Sequence, residues 1–197
     1  MGAHRSGFGG GVRLCARQSP CVTNAGYNDS TREGVAVADS LPAKSIAQSH
    51  VTLASIMGPH DTNIHGNIHG GVIMKLVDEA GALAAVRHAR MPVVTIVIDS
   101  MLFHEPIRVG NVVTLNAELT WVGRTSMEVR VEVTAENPLT GTITMTNTAY
   151  LVYVALDPDG RPAPVPRLTY ETDEQRKRAA EAEVRQRERK RRQSEES

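Results

Sequence analysis

The chain has 197 residues, of which 41% are hydrophobic and 22% are charged, and its formal net charge at pH 7 is zero. This length and composition predict one globular domain with tails, and they exclude collagen, coiled-coil and membrane-protein compositions. The balanced charge provides no global field that would recruit nucleic acid or an anionic membrane. No apolar run reaches the roughly 18 residues of a membrane helix, so we expect no stable membrane insertion.

Residues 1–49 have no sustained helical or strand period and are rich in Gly, Ser, Ala and Arg, which predicts a flexible N-terminal arm. The only cysteines, Cys15 and Cys21, have no His or Cys partners at zinc-binding spacing, so neither a disulfide nor a zinc framework is expected. These features favour a cytoplasmic protein. Residues 1–28 contain Arg and Ser but no acid, as an organellar transit peptide does, although the run Gly9–Gly11 opposes its amphipathic helix. Organellar targeting is therefore the weaker alternative.

The predicted core domain spans residues 50–168. Its first strand begins at Val51, and a loop rich in His, Asn and Gly follows over residues 58–70. From Gly71 to about Ala89 the period becomes helical. The predicted apolar face of this helix consists of Val72, Ile73, Leu76, Val77, Ala80, Leu83 and Ala84. Four strand-like runs follow, at residues 93–103, 112–121, 126–135 and 143–156. Because a lone apolar helix must be covered, this order predicts an α+β domain in which an antiparallel sheet wraps around one long central helix.

Residues 169–197 are the predicted C-terminal tail, which from Thr172 consists almost wholly of Glu, Arg, Lys, Gln and Ala. High helix propensity without an apolar stripe predicts a solvated, charge-paired helix or a disordered coil. The basic run at residues 187–192 is interpreted as a solvated face rather than a nucleic-acid site.

The start of the predicted helix combines features that suit carbonyl chemistry. Gly70 and Gly71 permit close approach of a ligand and leave free N–H groups at the positive end of the helix dipole. Such groups stabilise negative charge on a carbonyl oxygen in a transition state. Asn67 stands just before them.

Asp78 points away from the predicted apolar face and has small residues around it, so we interpret it as covered rather than solvated. A surface acid paired with Lys75 is the commoner arrangement and remains the alternative. Gly71 and Asp78 are seven residues apart, about 10 Å along one helix face. Because this is too far for both to act on one carbonyl, a shared reaction requires a second copy of the helix, and hence a dimer with two equivalent sites.

Three segments carry recognisable motifs: NIHGGVIMKLVDEAG at residues 67–81, followed by Arg87-His88-Ala89; TWVGRTSMEV at residues 120–129; and TAYLVYVALD at residues 148–157. In order and spacing they resemble the hotdog acyl-CoA thioesterases, in particular the cytosolic long-chain acyl-CoA hydrolase and the bacterial YciA-like enzymes. The resemblance covers about residues 50–168 and leaves out both tails.

This resemblance implies a single hotdog domain that hydrolyses fatty acyl-CoA, with a homodimer as the minimal unit and a homohexamer of three dimers as the expected assembly. It implies that Asp78 supplies the general base or nucleophile, while Asn67 of the facing subunit binds the water or the thioester. The backbone of Gly70 and Gly71 would polarise the carbonyl. No cofactor is implied beyond the CoA of the substrate. No metal is expected either, since hydrolysis by a carboxylate needs no Lewis acid.

The segment from Val122 to Ser126 is similar to the strand start that lines the CoA arm in this family, with Arg124 available to a phosphate. Arg87 and Arg90 lie near the helix end and are further candidates, although a helix C-terminus also attracts Arg for structural reasons. The predicted CoA-binding residues are Arg87, Val122, Gly123, Arg124, Thr125 and Ser126.

Two other functions are weighed against this one. Residues 61–65, Asp-Thr-Asn-Ile-His, resemble the Asp, Asn and His motif of the R-specific enoyl-CoA hydratases, but the His comes one residue early and no Pro follows Asn63. A non-catalytic acyl-CoA sensor would need an output module, and the arm contains no helix-turn-helix pattern.

The acid Asp99 is interpreted as a structural carboxylate near the helix or subunit boundary.

Overall fold

The structure is a computed structural model that describes residues 41–99, 101 and 104–195. The predicted arm up to residue 40, with both cysteines and the transit-peptide alternative, lies outside these residues. In chain order the elements are β1 (Lys44–Ser45), β2 (Val51–Ile56), α1 (Gly70–Ala89), β3 (Val93–Ile98), β4 (Val112–Val122), β5 (Ser126–Asn137), β6 (Thr142–Ala155), β7 (Leu168–Thr169) and α2 (Asp173–Glu195). Short 3-10 turns occur at Ile46–Gln48 and Pro59–Asp61.

Five strands form one antiparallel sheet in the order β2-β4-β5-β6-β3, and all five contact α1. The predicted α+β fold, an antiparallel sheet around one long central helix, is confirmed. Alternation along the strands directs residues such as Leu119, Val129 and Leu151 into the core shared with α1. Neither helix of the described chain is long and apolar enough to span a lipid bilayer.

The buried face of α1 differs from the predicted one. Its buried residues are Ile73, Val77, Ala80, Gly81, Ala84, Ala85, His88 and Ala89. Leu83, which we assigned to the apolar face, is 48% exposed, and Val86 is exposed beside it. The face that packs on the sheet is the one with Gly81 and the alanines, because these small residues allow the sheet to approach the helix more closely than large side chains would.

Strand β3 covers Val93–Ile98 of the predicted run of residues 93–103, of which residues 100, 102 and 103 lie outside the described residues. Its ladder with β6 ends at Ile98, with a bulge between Thr95 and Val97. β3 lies at one edge of the sheet, and the side chains of Val94, Ile96 and Ile98 are exposed.

Residues 41–49 differ from the predicted arm because they are attached to the domain. β1 pairs in parallel with β7, and Ile46 and Ser49 are buried. A two-residue strand is too short to produce a period in the sequence, so the predicted boundary at residue 49 lies too far along the chain.

Helix α2 lies within the predicted C-terminal tail and is charge-paired as expected, for example between Arg178 and Glu174, but one side of it is buried against the sheet instead of solvated. Ala179 and Ala182 are buried, and α2 contacts β4. Glu128 on β5 is 0% exposed because α2 covers it. Helix α2 has no apolar stripe, and ion pairs between its arginines and acids of the sheet hold it in place instead.

Candidate functional site

A cavity of about 340 Å³ lies at the N-terminal end of α1. It is lined by Asn63, Asn67, Ile68, Gly70, Ile73, His104, Glu105, Pro106 and Ile107. The cavity therefore brings two asparagine side chains beside the first residue of the helix. Asn67 and Gly70 were predicted to belong to the site.

The loop before α1 fixes the orientation of Asn63. Its Oδ1 accepts the backbone N–H groups of His65 at 2.8 Å and Asn67 at 3.3 Å. The backbone N–H of Asn63 donates to the carbonyl of Asn67 at 2.7 Å, and Gly66 has φ 77°, the left-handed conformation that favours glycine. Because the carbonyl oxygen of its side chain is occupied, Asn63 has its amide NH₂ group left for a ligand.

The helix start is capped by His69. The Nδ1 atom of His69 accepts the backbone N–H of Gly71 at 2.8 Å. The N–H of Gly71, which we predicted to be free, is thus engaged, whereas Gly70 lines the cavity. Of the two predicted oxyanion groups, Gly70 is the one that the structure places at the cavity, and the oxyanion role of both stays a prediction.

Asp78 is half-buried on the sheet side of α1. Its Oδ1 accepts hydrogen bonds from Thr95 Oγ1 at 2.8 Å and from the hydroxyl of Tyr153 at 3.1 Å. Lys75 forms its ion pair with Glu79 instead, at 3.6 Å. The alternative of an Asp78–Lys75 surface pair is therefore not what the structure contains.

Asp78 is not among the residues that line the cavity at the helix start. Within one chain, the structure does not bring Asp78 together with Asn67 or Asn63. This agrees with the separation of about 10 Å that two helical turns impose.

Tyr153 was not predicted as a site residue, nor was Thr95. Tyr153 is fully buried, and burial, together with the negative charge of Asp78, raises the pKa of its phenol. The phenol therefore stays protonated and acts as a donor to the carboxylate. The sequence gives no direct indication of either residue, because both reach Asp78 from strands that are distant in the chain.

The predicted CoA-binding turn joins β4 to β5 and packs on the end of β6 and on the segment that follows it. The backbone carbonyl of Arg124 accepts the N–H of Val165 at 3.0 Å, and that of Thr125 accepts the N–H of Ala155 at 3.1 Å. The Arg124 side chain is exposed. The CoA-binding role of residues 122–126 stays a prediction.

Arg87 lies at the other end of α1, away from the start cavity. Its Nη1 donates to the carbonyl of His50 at 2.5 Å. With Arg90 it also borders a second cavity of about 450 Å³, whose other lining residues are Leu83, Val86, Met91 and Pro92. Arg87 thus contacts the main chain just before β2, and its CoA contact stays a prediction.

The hydratase-like motif is divided by the structure. Asp61 Oδ2 accepts the N–H of Gly58 at 2.8 Å and caps the 3-10 turn. Of the Asp, Asn and His of this motif, only Asn63 lines the cavity. This arrangement weakens the enoyl-CoA hydratase alternative.

The thioesterase superfamily is the family whose sequence profile matches this chain, over residues 65–142. The uncharacterized acyl-CoA thioester hydrolase YkhA of Bacillus subtilis (strain 168) is 41% identical over 128 residues, which are 65% of this chain and 74% of that protein. The chain spans about a third of the length of the mammalian cytosolic acyl coenzyme A thioester hydrolases that it also matches, at 36% identity.

Solved structures are similar to the fold. An apo-hexameric acyl-CoA thioesterase has a TM-score of 0.74 and 38% identity, covering 77% of this chain and 97% of that one. The acyl-CoA hydrolase of Staphylococcus aureus, solved with butyryl-CoA, CoA and CoA disulfide, has a TM-score of 0.73 and 34% identity, covering 79% and 94%. Its variants with alanine at an aspartate, an asparagine or a threonine are also similar. The chain therefore belongs to the thioesterase superfamily, as a hotdog-fold relative of the acyl-CoA thioester hydrolases.

Proposed function

We propose that this chain is an acyl-CoA thioesterase that hydrolyses fatty acyl-CoA to the free acid and CoA. The observation that carries the proposal is the carboxylate of Asp78, held half-buried by hydroxyl groups of Thr95 and Tyr153 in a fold shared with acyl-CoA hydrolases. A surface acid of ordinary function has neither this burial nor these donors.

In the proposed reaction, Asp78 acts as a general base. Its carboxylate takes a proton from water, the water oxygen bonds to the thioester carbonyl carbon, and the C–S bond breaks. The CoA sulfur leaves as a thiolate and takes up a proton. Thr95 and Tyr153 both donate to Oδ1, and no residue of the described chain donates to Oδ2, so Oδ2 is the oxygen available to accept the proton.

The carbonyl is proposed to bind at the start of α1 in a partner subunit. Gly70 lines the cavity there and Asp78 of the same chain does not, so the acid must come from a second copy. The edge strand β3 supports this assembly, because its unpaired backbone groups and exposed Val94, Ile96 and Ile98 suit pairing with another β3. A homodimer is thus the minimal unit, and the similar hexameric thioesterase supports a further assembly of three dimers.

The amide partner of Asp78 has two candidates. In the S. aureus hydrolase, the altered asparagine stands 15 residues before the altered aspartate, and the altered threonine stands 17 residues after it. Asn63 and Thr95 have the same separations from Asp78 in this chain. Together with the fixed orientation of the Asn63 amide, this spacing supports Asn63 over the predicted Asn67.

The first experiment measures thiol release from a panel of saturated acyl-CoAs. Asp78→Asn should lower kcat by about 10²- to 10⁴-fold, the usual contribution of a general base. Glu79→Gln is the matched control, since Glu79 is an exposed neighbouring acid and should leave kcat unchanged. Asn63→Ala and Asn67→Ala, compared in parallel, identify the amide partner by the larger loss. A normal rate for Asp78→Asn would refute the assignment of the base.

The second experiment tests whether the site is shared. Asp78→Asn and Asn63→Ala protein are unfolded, mixed in equal amounts and refolded together. If the acid and the amide come from different subunits, random pairing restores about a quarter of the wild-type sites. No recovery in verified mixed dimers would exclude the shared arrangement.

The alternatives are separated by the product. Crotonyl-CoA is incubated with the protein while the free thiol and the loss of the double bond are followed separately. Thiol release supports hydrolysis, and loss of the double bond without thiol supports the hydratase. Binding of acyl-CoA without either product supports the sensor.

A further inference from the structure

Tyr153 touches the proposed base at two points. Its hydroxyl lies 3.1 Å from Asp78 Oδ1 and 3.0 Å from the backbone carbonyl oxygen of Asp78. We propose that Tyr153 is a positioning residue, which reaches Asp78 through the gap left by Gly81 and sets the direction of the carboxylate for reaction. This inference rests on the proposed function and deepens it.

The strand register explains why two donors meet on one oxygen. Thr95 of β3 and Tyr153 of β6 are direct partners in the antiparallel ladder, so their side chains leave the sheet on the same face. Both reach Asp78 Oδ1, at 2.8 Å and 3.1 Å. Two donors on Oδ1 fix the plane of the carboxylate and leave Oδ2 for the proton.

The contact between the Tyr153 hydroxyl and the backbone carbonyl of Asp78 fixes the position of the phenol relative to α1. One phenol oxygen bridges the main chain and the side chain of Asp78, so the carboxylate cannot rotate about its Cα–Cβ bond without losing a contact. Tyr153 is fully buried, and its ring is therefore held as firmly as the core around it. An exposed Thr95 alone gives no such restraint.

Gly81 provides the space for this contact. A Cβ atom built at Gly81 would stand 2.4 Å from the Tyr153 hydroxyl oxygen and 3.1 Å from Cζ. Glycine inside a helix is unfavourable relative to alanine, by about 1 kcal/mol. The backbone conformation of the helix does not require a glycine at position 81, whereas the close approach of the Tyr153 phenol does require one.

The test compares variants that remove the hydroxyl or displace it. Tyr153→Phe keeps the ring and removes only the oxygen. Gly81→Ala keeps the phenol and pushes it away. The matched control is Tyr150→Phe on the same strand, since Tyr150 does not contact Asp78 and its ring instead lies under Arg185. Folding of each variant is checked by circular dichroism and thermal unfolding.

For Tyr153→Phe and Gly81→Ala we expect kcat to fall about 10- to 100-fold while KM changes less than about twofold, because the loss is one of orientation rather than of binding. The double variant should lose less activity than the two single losses combined, because both changes act on the same contact between the phenol and Asp78. The control should behave as the wild type.

An unchanged kcat in Tyr153→Phe would overturn the inference, as would a fall in kcat that is accompanied by an equal or larger rise in KM. If Tyr153→Phe does not fold, the same readouts on Gly81→Ala decide. Failure of the inference is distinct from failure of the proposed function. In the first case Asp78→Asn is inactive and Tyr153→Phe is normal, whereas in the second Asp78→Asn itself retains its rate.

Discussion

Replacing the buried Glu128 by glutamine should destabilise the protein strongly. The Glu128 carboxylate accepts hydrogen bonds from Arg185 at 2.7 Å, from Thr120 at 2.8 Å and from Arg189. Removing one member of a buried ion pair costs about 3–5 kcal/mol, because the remaining charge is left uncompensated. Arg189 keeps Asp99 as a partner, so we expect the lower end, about 3 kcal/mol.

For a chain of this size, a loss of about 3 kcal/mol corresponds to a fall in Tm of about 6–12 °C. Thermal and urea unfolding measure it. Glu79→Gln is the control, since its pair with Lys75 has side chains 48% and 75% exposed and contributes only a few tenths of a kcal/mol. If Glu128→Gln lowers Tm no more than this control does, ion pairing does not hold α2 on the sheet. A Met replacement of Glu128, Arg185 and Arg189 together should recover much of the loss.

Three further measurements follow from the structure. Burial lowers the pKa of His88 below the ordinary 6.5, so at acidic pH the unfolded chain binds a proton at this residue that the folded chain does not. The free energy of unfolding should therefore decline as pH falls below about 6.5. Urea unfolding from pH 5 to 8 measures this decline, and His88→Gln should make it less steep. If CoA binds the β4–β5 turn, it should alter the fluorescence of Trp121, the only tryptophan, and Arg124→Ala should raise KM more than it lowers kcat; an unaltered spectrum at saturating CoA would place CoA elsewhere. Hydrolysis in ¹⁸O-water under single turnover should label the fatty acid and not Asp78, and label in Asp78 would indicate a nucleophile instead.

The main elements of the fold could be predicted from local patterns. The long strands alternate, and α1 has a helical period, so both were expected within a few residues of their observed bounds. The face of α1 was wrong because burial there follows the small residues Gly81 and Ala85, while the pattern of large apolar residues points elsewhere. β1 and β7 were missed because two residues carry no period.

The candidate site could be predicted only in part, because some of its residues are close together in the sequence and others are far apart. Gly70 and Asp78 lie on one helix, so their separation follows from helix geometry alone. Thr95 and Tyr153 come together only through the β3–β6 register, which no local pattern specifies. The docking of α2 was missed for the same reason, since the acids that bind its arginines belong to distant strands.

Helix α2 connects four neighbouring strands. Its arginines bind Glu118 on β4, Glu128 on β5 and Asp99 just after β3, and Arg185 lies over the ring of Tyr150 on β6. Helix α2 therefore links the middle of the sheet to the edge strand β3, which carries Thr95, the threonine that donates to Asp78. Amide hydrogen exchange in β3 should consequently rise when α2 is released, even though this helix lies on the opposite side of the sheet from α1.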